Sequence, residues 1–280
     1  MRLWSARGRA GSSTRTGAEA VPPSRTTLQL ELPQVRVVLA LEEAFPCSCP
    51  PLLVLGGRAP DPEWLRGAAS GREVWALDRG TDACWAAGVV PSRVLGDFDS
   101  VSGQAMAWAQ TLGVAMDRYN PDKDDTDFQL ALKRAAGAVL VTGCWGGRFD
   151  HAFSNVFSAL SAQEHGVCVL CFADEQEVLF PLRGPARMEL GLGTPPAALS
   201  LLPLTASCEG VSIANVKWPL EDAALLQAYP RAVSNVPLGG GSVSVRVRGG
   251  VLGVYVLHPP RRRKHRVKRG TAIGNDQDSH

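Results

Sequence analysis

A chain of 280 residues, 45% hydrophobic and 20% charged, is long enough for one large domain or two modest ones. No apolar run approaches the roughly 20 residues that span a bilayer, so a membrane protein is excluded as an expectation. The formal charge of +2 is unevenly spread: residues 261–280 carry +5 and residues 1–34 carry +3, which leaves −6 on residues 35–260. A nucleic-acid binder puts its basic charge on the folded body, so that partner is disfavoured. Seven cysteines, an odd number in a chain that can build a core, argue against a secreted disulfide framework.

Residues 1–34 are rich in Arg, Ser, Thr, Gly and Ala without sustained periodicity, which predicts a disordered extension or a targeting segment. The expected location is the cytoplasm, or the mitochondrion if 1–34 is a transit peptide. From Leu52 onward, short apolar runs alternate with helical patterns. The runs are LLVLGG (52–57), EVWALD (73–78), RVLGDFD (93–99), AVLVTGCWGG (138–147) and VCVLCFAD (167–174). Between them, Phe128, Ala131, Leu132 and Ala135 share one helical face. Ala152, Phe153, Val156, Phe157 and Leu160 share another. Apolar strands separated by amphipathic helices predict a parallel sheet covered on both faces.

After Pro181 the pattern turns antiparallel. SVSVRVRGGVLGVYVL alternates Val243, Val245 and Val247 with polar residues and breaks at Gly249-Gly250, which predicts a β-hairpin. With ALSLLPL (198–204) and GVSIANV (210–216), it implies a small sandwich. The expected fold is α/β: an N-terminal three-layer parallel-sheet domain over 35–183, then an antiparallel β-sandwich over 184–258. A basic, solvated tail is expected over 259–280.

Ligands of open parallel sheets bind beyond the carboxyl ends of the strands. Here those ends read Gly56-Gly57, Asp78, Gly96-Asp97-Phe98-Asp99 and Gly146-Gly147-Arg148-Phe149-Asp150. Asp97 and Asp99, two apart in extended chain, would present both carboxylates to one side, which suits Mg²⁺. Asp99-Ser100 as a plain helix cap is the competing reading. In Pro121–Asp127, four carboxylates surround Lys123, and Thr126 with Gln129 forms a capping-box pattern. Asp122, Asp124, Asp125 and Asp127 repel one another beyond any capping need, so a bound cation is expected, with Lys123 facing a phosphate. Arg148 offers a planar fork for phosphate oxygens, next to Asp150 and His151. The Walker and Rossmann glycine patterns are both missing.

Asp78, GDFDS (96–100), KDDTD (123–127), GGRFDH (146–151), VKWPL (216–220) and Ser234-Asn235 follow in the order that resembles the thiamine pyrophosphokinase family. The resemblance implies diphosphoryl transfer from ATP to thiamine, with Mg²⁺, by a homodimer whose active sites are shared between subunits. It implies Asp97, Asp99, Asp124 and Asp127 as metal and catalytic residues, with Arg148 and Asp150 also catalytic. It assigns Asp78, Lys123, Thr126, Arg148 and His151 to ATP, and Trp218, Ser234 and Asn235 to thiamine, with a Trp buried in the sandwich core as the competing reading for position 218. Two departures stand out: Arg79 where the family usually has Gly, and Asn215 where it also has Gly. Rival readings are a hydroxymethyl-pterin diphosphokinase on the same scaffold and a non-catalytic thiamine or nucleotide sensor.

Overall fold

The computed structural model describes residues 26–41, 49–120, 124–193 and 195–259. The chain opens on an antiparallel hairpin, β1 (Thr26–Leu32) and β2 (Val35–Leu41). A parallel unit follows: β3 (Leu52–Val54), α1 (Pro62–Ala69), β4 (Val74–Leu77), α2 (Gly80–Ala87), β5 (Arg93–Gly96), α3 (Gly103–Thr111) and β6 (Ala115–Arg118). It continues through α4 (Asp127–Arg134), β7 (Gly137–Thr142), α5 (Phe149–Gln163) and β8 (Val167–Ala173). The remainder is all strand: β9 (Glu177–Arg183), β10 (Ala186–Leu192), β11 (Ala198–Pro203), β12 (Ser207–Ala214), β13 (Leu220–Leu226), β14 (Val243–Val247) and β15 (Val251–Leu257).

Nine strands join in one sheet, ordered β11-β15-β9-β8-β7-β3-β4-β5-β6, parallel from β8 to β6 and antiparallel beyond β8. Six others, β1-β2-β10-β14-β12-β13, form a second sheet. The even run of apolar residues in β3, β4, β7 and β8 follows from burial on both faces. On one face, Val54, Ala76 and Leu140 pack with Trp64, Leu65 and Cys84 of the helices. The same core continues through Phe180 and Val254 into Val37, Met188 and Val245 of the second sheet. On the other face, Leu53, Leu77 and Val141 meet Phe128, Leu132 and Ala159 of α4 and α5.

Three expectations about domain bounds are corrected. Residues 26–34 are not an extension, because β1 and the following turn belong to the six-stranded sheet, with Leu30 and Leu32 buried. β2, expected in the parallel domain, lies in that sheet beside β10. The boundary at 183/184 is crossed in both directions, since β11 and β15 extend the parallel sheet through β9. Residues 1–25 and 260–280, where the remaining tail expectations fall, lie outside the described residues.

The hairpin expected at Gly249-Gly250 is instead a corner between sheets. β14 pairs with β10 and β12, whereas β15 pairs with β9 and β11. The backbone N–H groups of Arg248 and Gly249 donate to Glu209 O, and Gly250 turns at φ 82, where a Cβ would lie 2.2 Å from Ser207 O. Only glycine fits so close to that carbonyl.

The turn of the first hairpin is tied to the parallel unit by one side chain. Gln34 Nε2 donates to Asp174 O at 2.6 Å, and Gln34 Oε1 accepts from Trp64 Nε1 at 2.5 Å. Trp64 is fully buried, so its indole N–H has no water to fall back on. Gln34→Leu is expected to lower stability by about 1–3 kcal/mol, the cost of an orphaned buried donor. Urea unfolding checks this, and an unchanged midpoint would mean the tie is incidental.

Candidate active site

Chain ends converge beyond the carboxyl edge of the parallel strands, around a cleft of about 660 Å³. β3 contributes Gly56-Gly57, β4 contributes Asp78-Arg79, and β5 is followed by Asp97, Asp99 and Ser100. The loop after β7 supplies Gly146, Gly147 and Arg148, while α4 and α5 supply Thr126, Asp127, His151 and Asn155. Of the residues singled out from the sequence, Asp78, Asp97, Asp99, Thr126, Asp127, Arg148 and His151 line this cleft. Lys123 lies outside the described residues.

The acids arrive by turns, not by strand alternation. β5 stops at Gly96, and Asp97 Oδ1 accepts the N–H of Asp99 at 3.1 Å across a bend in which Phe98 has φ 70. Both carboxylates reach the cleft, although the extended-chain geometry expected for them is absent. The helix cap considered for Asp99-Ser100 belongs to Ser102, whose hydroxyl accepts from Ala105 N. Asp99 is therefore not consumed by capping.

Asp78 stands at φ 43 and accepts the N–H of Phe98 at 3.2 Å. Gly96 makes its position possible, because a Cβ there would lie 1.8 Å from Asp78 Oδ1. Burial, then a hydrogen bond with the Asp127 carboxyl and the charge of that group, push Asp78 up to about 8. The Phe98 N–H pulls the other way but loses. Two carboxyl groups thus share a hydrogen bond where their charges repel.

Asp127 is set there by α4, whose capping box is complete: Thr126 Oγ1 accepts from Gln129 N at 3.2 Å, and Gln129 Oε1 accepts from Thr126 N at 2.8 Å. The Thr126 hydroxyl is accordingly engaged in capping. Asp124 is exposed and does not line the cleft. Asp125 does, and it also pairs with Lys133 at 2.6 Å. Arg148 precedes α5 and grips Asp150 through Nε at 3.1 Å and Nη2 at 2.5 Å. The guanidinium holds the Asp150 carboxyl below the usual carboxylate range. Asn155 was missed in the sequence; its spacing of four from His151 on one helix was the available signal.

Among the described residues, no three His, Cys, Asp or Glu groups gather as a ready metal cage. The oxygen-only donor set of Asp78 and Asp127, with Asp97 close enough to raise Asp78 by its charge, nevertheless fits a hard cation. Mg²⁺ is commonly held by one or two carboxylates plus substrate phosphates, which is what these side chains provide.

Trp218, Ser234 and Asn235 come from the segments flanking β13 and do not line the cleft. Trp218 is 54% exposed, so it is not a core residue. Asn235 is buried and pins it: Oδ1 accepts from Trp218 N at 3.1 Å and Nδ2 donates to Trp218 O at 2.7 Å. Ser234 sits at φ 58, its N–H donating to Ser200 Oγ at 3.0 Å. Asn215 has φ 63 and donates to Ser242 O, so this departure keeps the left-handed backbone, which asparagine tolerates best after glycine.

The family profile described as thiamin pyrophosphokinase, catalytic domain, matches residues 70–171. The profile described as thiamin pyrophosphokinase, vitamin B1 binding domain, matches 195–252. A thiamine pyrophosphokinase of Bacillus subtilis is 23% identical over 177 residues, covering 61% of this chain and 81% of its own. Its fold is similar to that of the solved B. subtilis thiamine pyrophosphokinase, with TM-score 0.64 at 19% identity over 74% of this chain and 98% of that one. The thiamin pyrophosphokinase of Candida albicans gives TM-score 0.63 at 14% identity, covering 75% and 89%. Because the two profiles fall in order and together cover more than half of the 280 residues, the chain belongs to the thiamin pyrophosphokinase family.

Proposed function

We infer that this chain is a thiamine pyrophosphokinase, transferring the diphosphoryl group of ATP to the hydroxyl of thiamine and releasing AMP. The observation that carries the reading is the cleft, where acids from two strand ends and a helix start meet Arg148 and a double-glycine loop. Positioning and charge neutralisation are what phosphoryl chemistry asks of a protein. Bound Mg²⁺ would supply positive charge against the phosphate oxygens, with Asp78, Asp97, Asp99 and Asp127 as the residues to hold it. Asp124 is a weaker candidate because it is exposed and does not line the cleft. Arg148 orients phosphate oxygens, and an acid of the cleft accepts the proton of the attacking hydroxyl.

Thiamine reaches this cleft, in the reading we favour, under Trp218 of a second copy. Two exposed apolar surfaces support a homodimer. One is a ladder on α5, where Phe149, Phe153 and Phe157 follow one another at centroid distances of 6.0 and 4.7 Å. That helix buries Ser158, Ala159 and Ala162; of the face expected to turn inward, Val156 packs on the core, Ala152, Phe157 and Leu160 are half-buried, and Phe153 is exposed beside Phe149. The second surface carries Trp218, Val233, Val236 and Leu238. Large exposed apolar patches of this kind mark association sites. Cys84, Cys144, Cys171 and Cys208 are buried and in no disulfide, which supports a reducing compartment such as the cytoplasm.

The test uses full-length protein with ATP, Mg²⁺ and thiamine. Thiamine diphosphate and AMP are expected, and ADP with thiamine monophosphate would overturn the assignment. Asp97→Asn and Trp218→Ala are each expected to lose most activity. Mixed after subunit exchange, they should recover about a quarter of the wild-type sites, because half the dimers are hybrid and each hybrid keeps one intact site. No recovery despite proven exchange would place Trp218 in its own subunit's site.

A further inference from the structure

Five carboxylates line the cleft: Asp78, Asp97, Asp99, Asp125 and Asp127. A polyphosphate entering there meets strong repulsion unless cations answer it. Arg148 is one such cation, but its guanidinium already holds Asp150 at 2.5 Å. Arg79 lines the same cleft and differs in one respect: among the described residues its side chain makes no hydrogen bond or ion pair, although acids surround it.

Its placement is fixed from both sides. Arg79 occupies the cap position of α2 with φ −54 and ψ −16, an ordinary right-handed conformation that any residue adopts. Its Cβ lies against Gly56, where an added Cβ would approach to 2.9 Å, so the side chain leaves the backbone beside the double-glycine loop. The amino end of α2 adds partial positive charge at the same spot.

Resting on the reading of the cleft as an ATP site, we propose that Arg79 binds the phosphate chain of the nucleotide and sets the affinity for triphosphate over less charged nucleotides. Arginine suits this role because its planar fork pairs with two phosphate oxygens at once.

The experiment measures binding of Mg-ATP, Mg-ADP and adenosine to full-length wild type, Arg79→Ala and Arg79→Lys by calorimetry, alongside steady-state kinetics. Arg79→Ala is expected to raise the Kd for Mg-ATP roughly tenfold to a hundredfold, as for loss of a charge-assisted pair. Adenosine binding should not change, the KM for thiamine should stay within about twofold, and Arg79→Lys should fall between. An unchanged Kd for Mg-ATP in Arg79→Ala overturns the proposal. An equal loss for adenosine also overturns it, since that places Arg79 against the nucleoside. If wild type binds Mg-ATP in an Arg79-dependent way yet forms no AMP with thiamine, the diphosphoryl-transfer reading fails and this one stands. If wild type fails to bind Mg-ATP at all, both fail.

Discussion

Arg58→Ala is expected to lower stability by about 3–5 kcal/mol, because it leaves a buried carboxylate without its cation. Arg58 Nε and Nη2 donate to Asp174 Oδ2 at 3.0 and 2.6 Å, and Nη2 also reaches Glu177 Oε1 at 2.6 Å. Tyr255 Oη holds the other oxygen of Glu177 at 2.8 Å. Asp174 is only 1% exposed, and burial raises its carboxyl above the ordinary range even with the guanidinium and the N–H groups of Gln176 and Glu177 opposing that shift. Removing Arg58 takes away the largest of those opposing contributions. The same arginine follows Gly56-Gly57 directly and donates its backbone N–H to Trp145 O, so the network anchors the loop that lines the cleft to β8, β9 and β15. Urea unfolding of the single variant and of Arg58→Met with Asp174→Asn checks the argument. The double variant should recover much of the loss, since an uncharged pair of similar volume replaces the ion pair without orphaning a charge at position 174, and an amide oxygen there can still accept the N–H groups of Gln176 and Glu177. A single variant within about 1 kcal/mol of wild type would show that the ion pair is not what holds the loop.

What the sequence disclosed, and what it hid, follows from how each segment is buried. The parallel strands were readable because β3, β4, β7 and β8 bury every residue or nearly so, which leaves unbroken apolar runs. β6, with the sequence AMDR at the sheet edge, buries none of its four residues and left no such run. The first hairpin did carry a period-two signal, Leu28, Leu30 and Leu32 and then Val35, Val37 and Leu39, but it directly follows an Arg- and Ser-rich stretch whose composition dominated the reading. Gly249-Gly250 was recognised as a turn, yet sequence cannot tell a turn that pairs its flanking strands from one that sends them to different sheets. α5 shows a similar limit: its periodicity revealed an apolar stripe, while the choice of Ser158, Ala159 and Ala162 for the interior follows from how closely the helix lies on β8. The acids of the cleft were the most legible part, because nothing in a strand end or helix start requires so many like charges. Asp124 and Asp125 were the exception, since the sequence does not say which of two adjacent acids faces a site, and only Asp125 lines the cleft.

Asp78→Asn is expected to make the metal-free protein more stable at pH 8 while cutting activity by about a hundredfold or more. The carboxyl is pushed up to about 8, so between pH 4 and 8 the folded chain retains a proton that the unfolded chain releases. Stability therefore falls as pH rises through that window, the reverse of a salt-bridged aspartate. Asparagine removes the penalty and its pH slope together. The gain at pH 8 is about 1–3 kcal/mol after allowing for partial solvent access to the site. The backbone accepts the change, because asparagine tolerates the left-handed φ of 43, and its Oδ1 can keep the hydrogen bond from Phe98 N. Urea unfolding of wild type and variant at pH 5 and 8 without Mg²⁺ gives the comparison. Added Mg²⁺ should stabilise wild type more than the variant at pH 8, since only wild type offers the second charge. A variant less stable than wild type at pH 8 would show that the Asp78–Asp127 contact is not repulsive. The cleft would then hold its acids together by hydrogen bonding alone, with no strain for a cation to relieve.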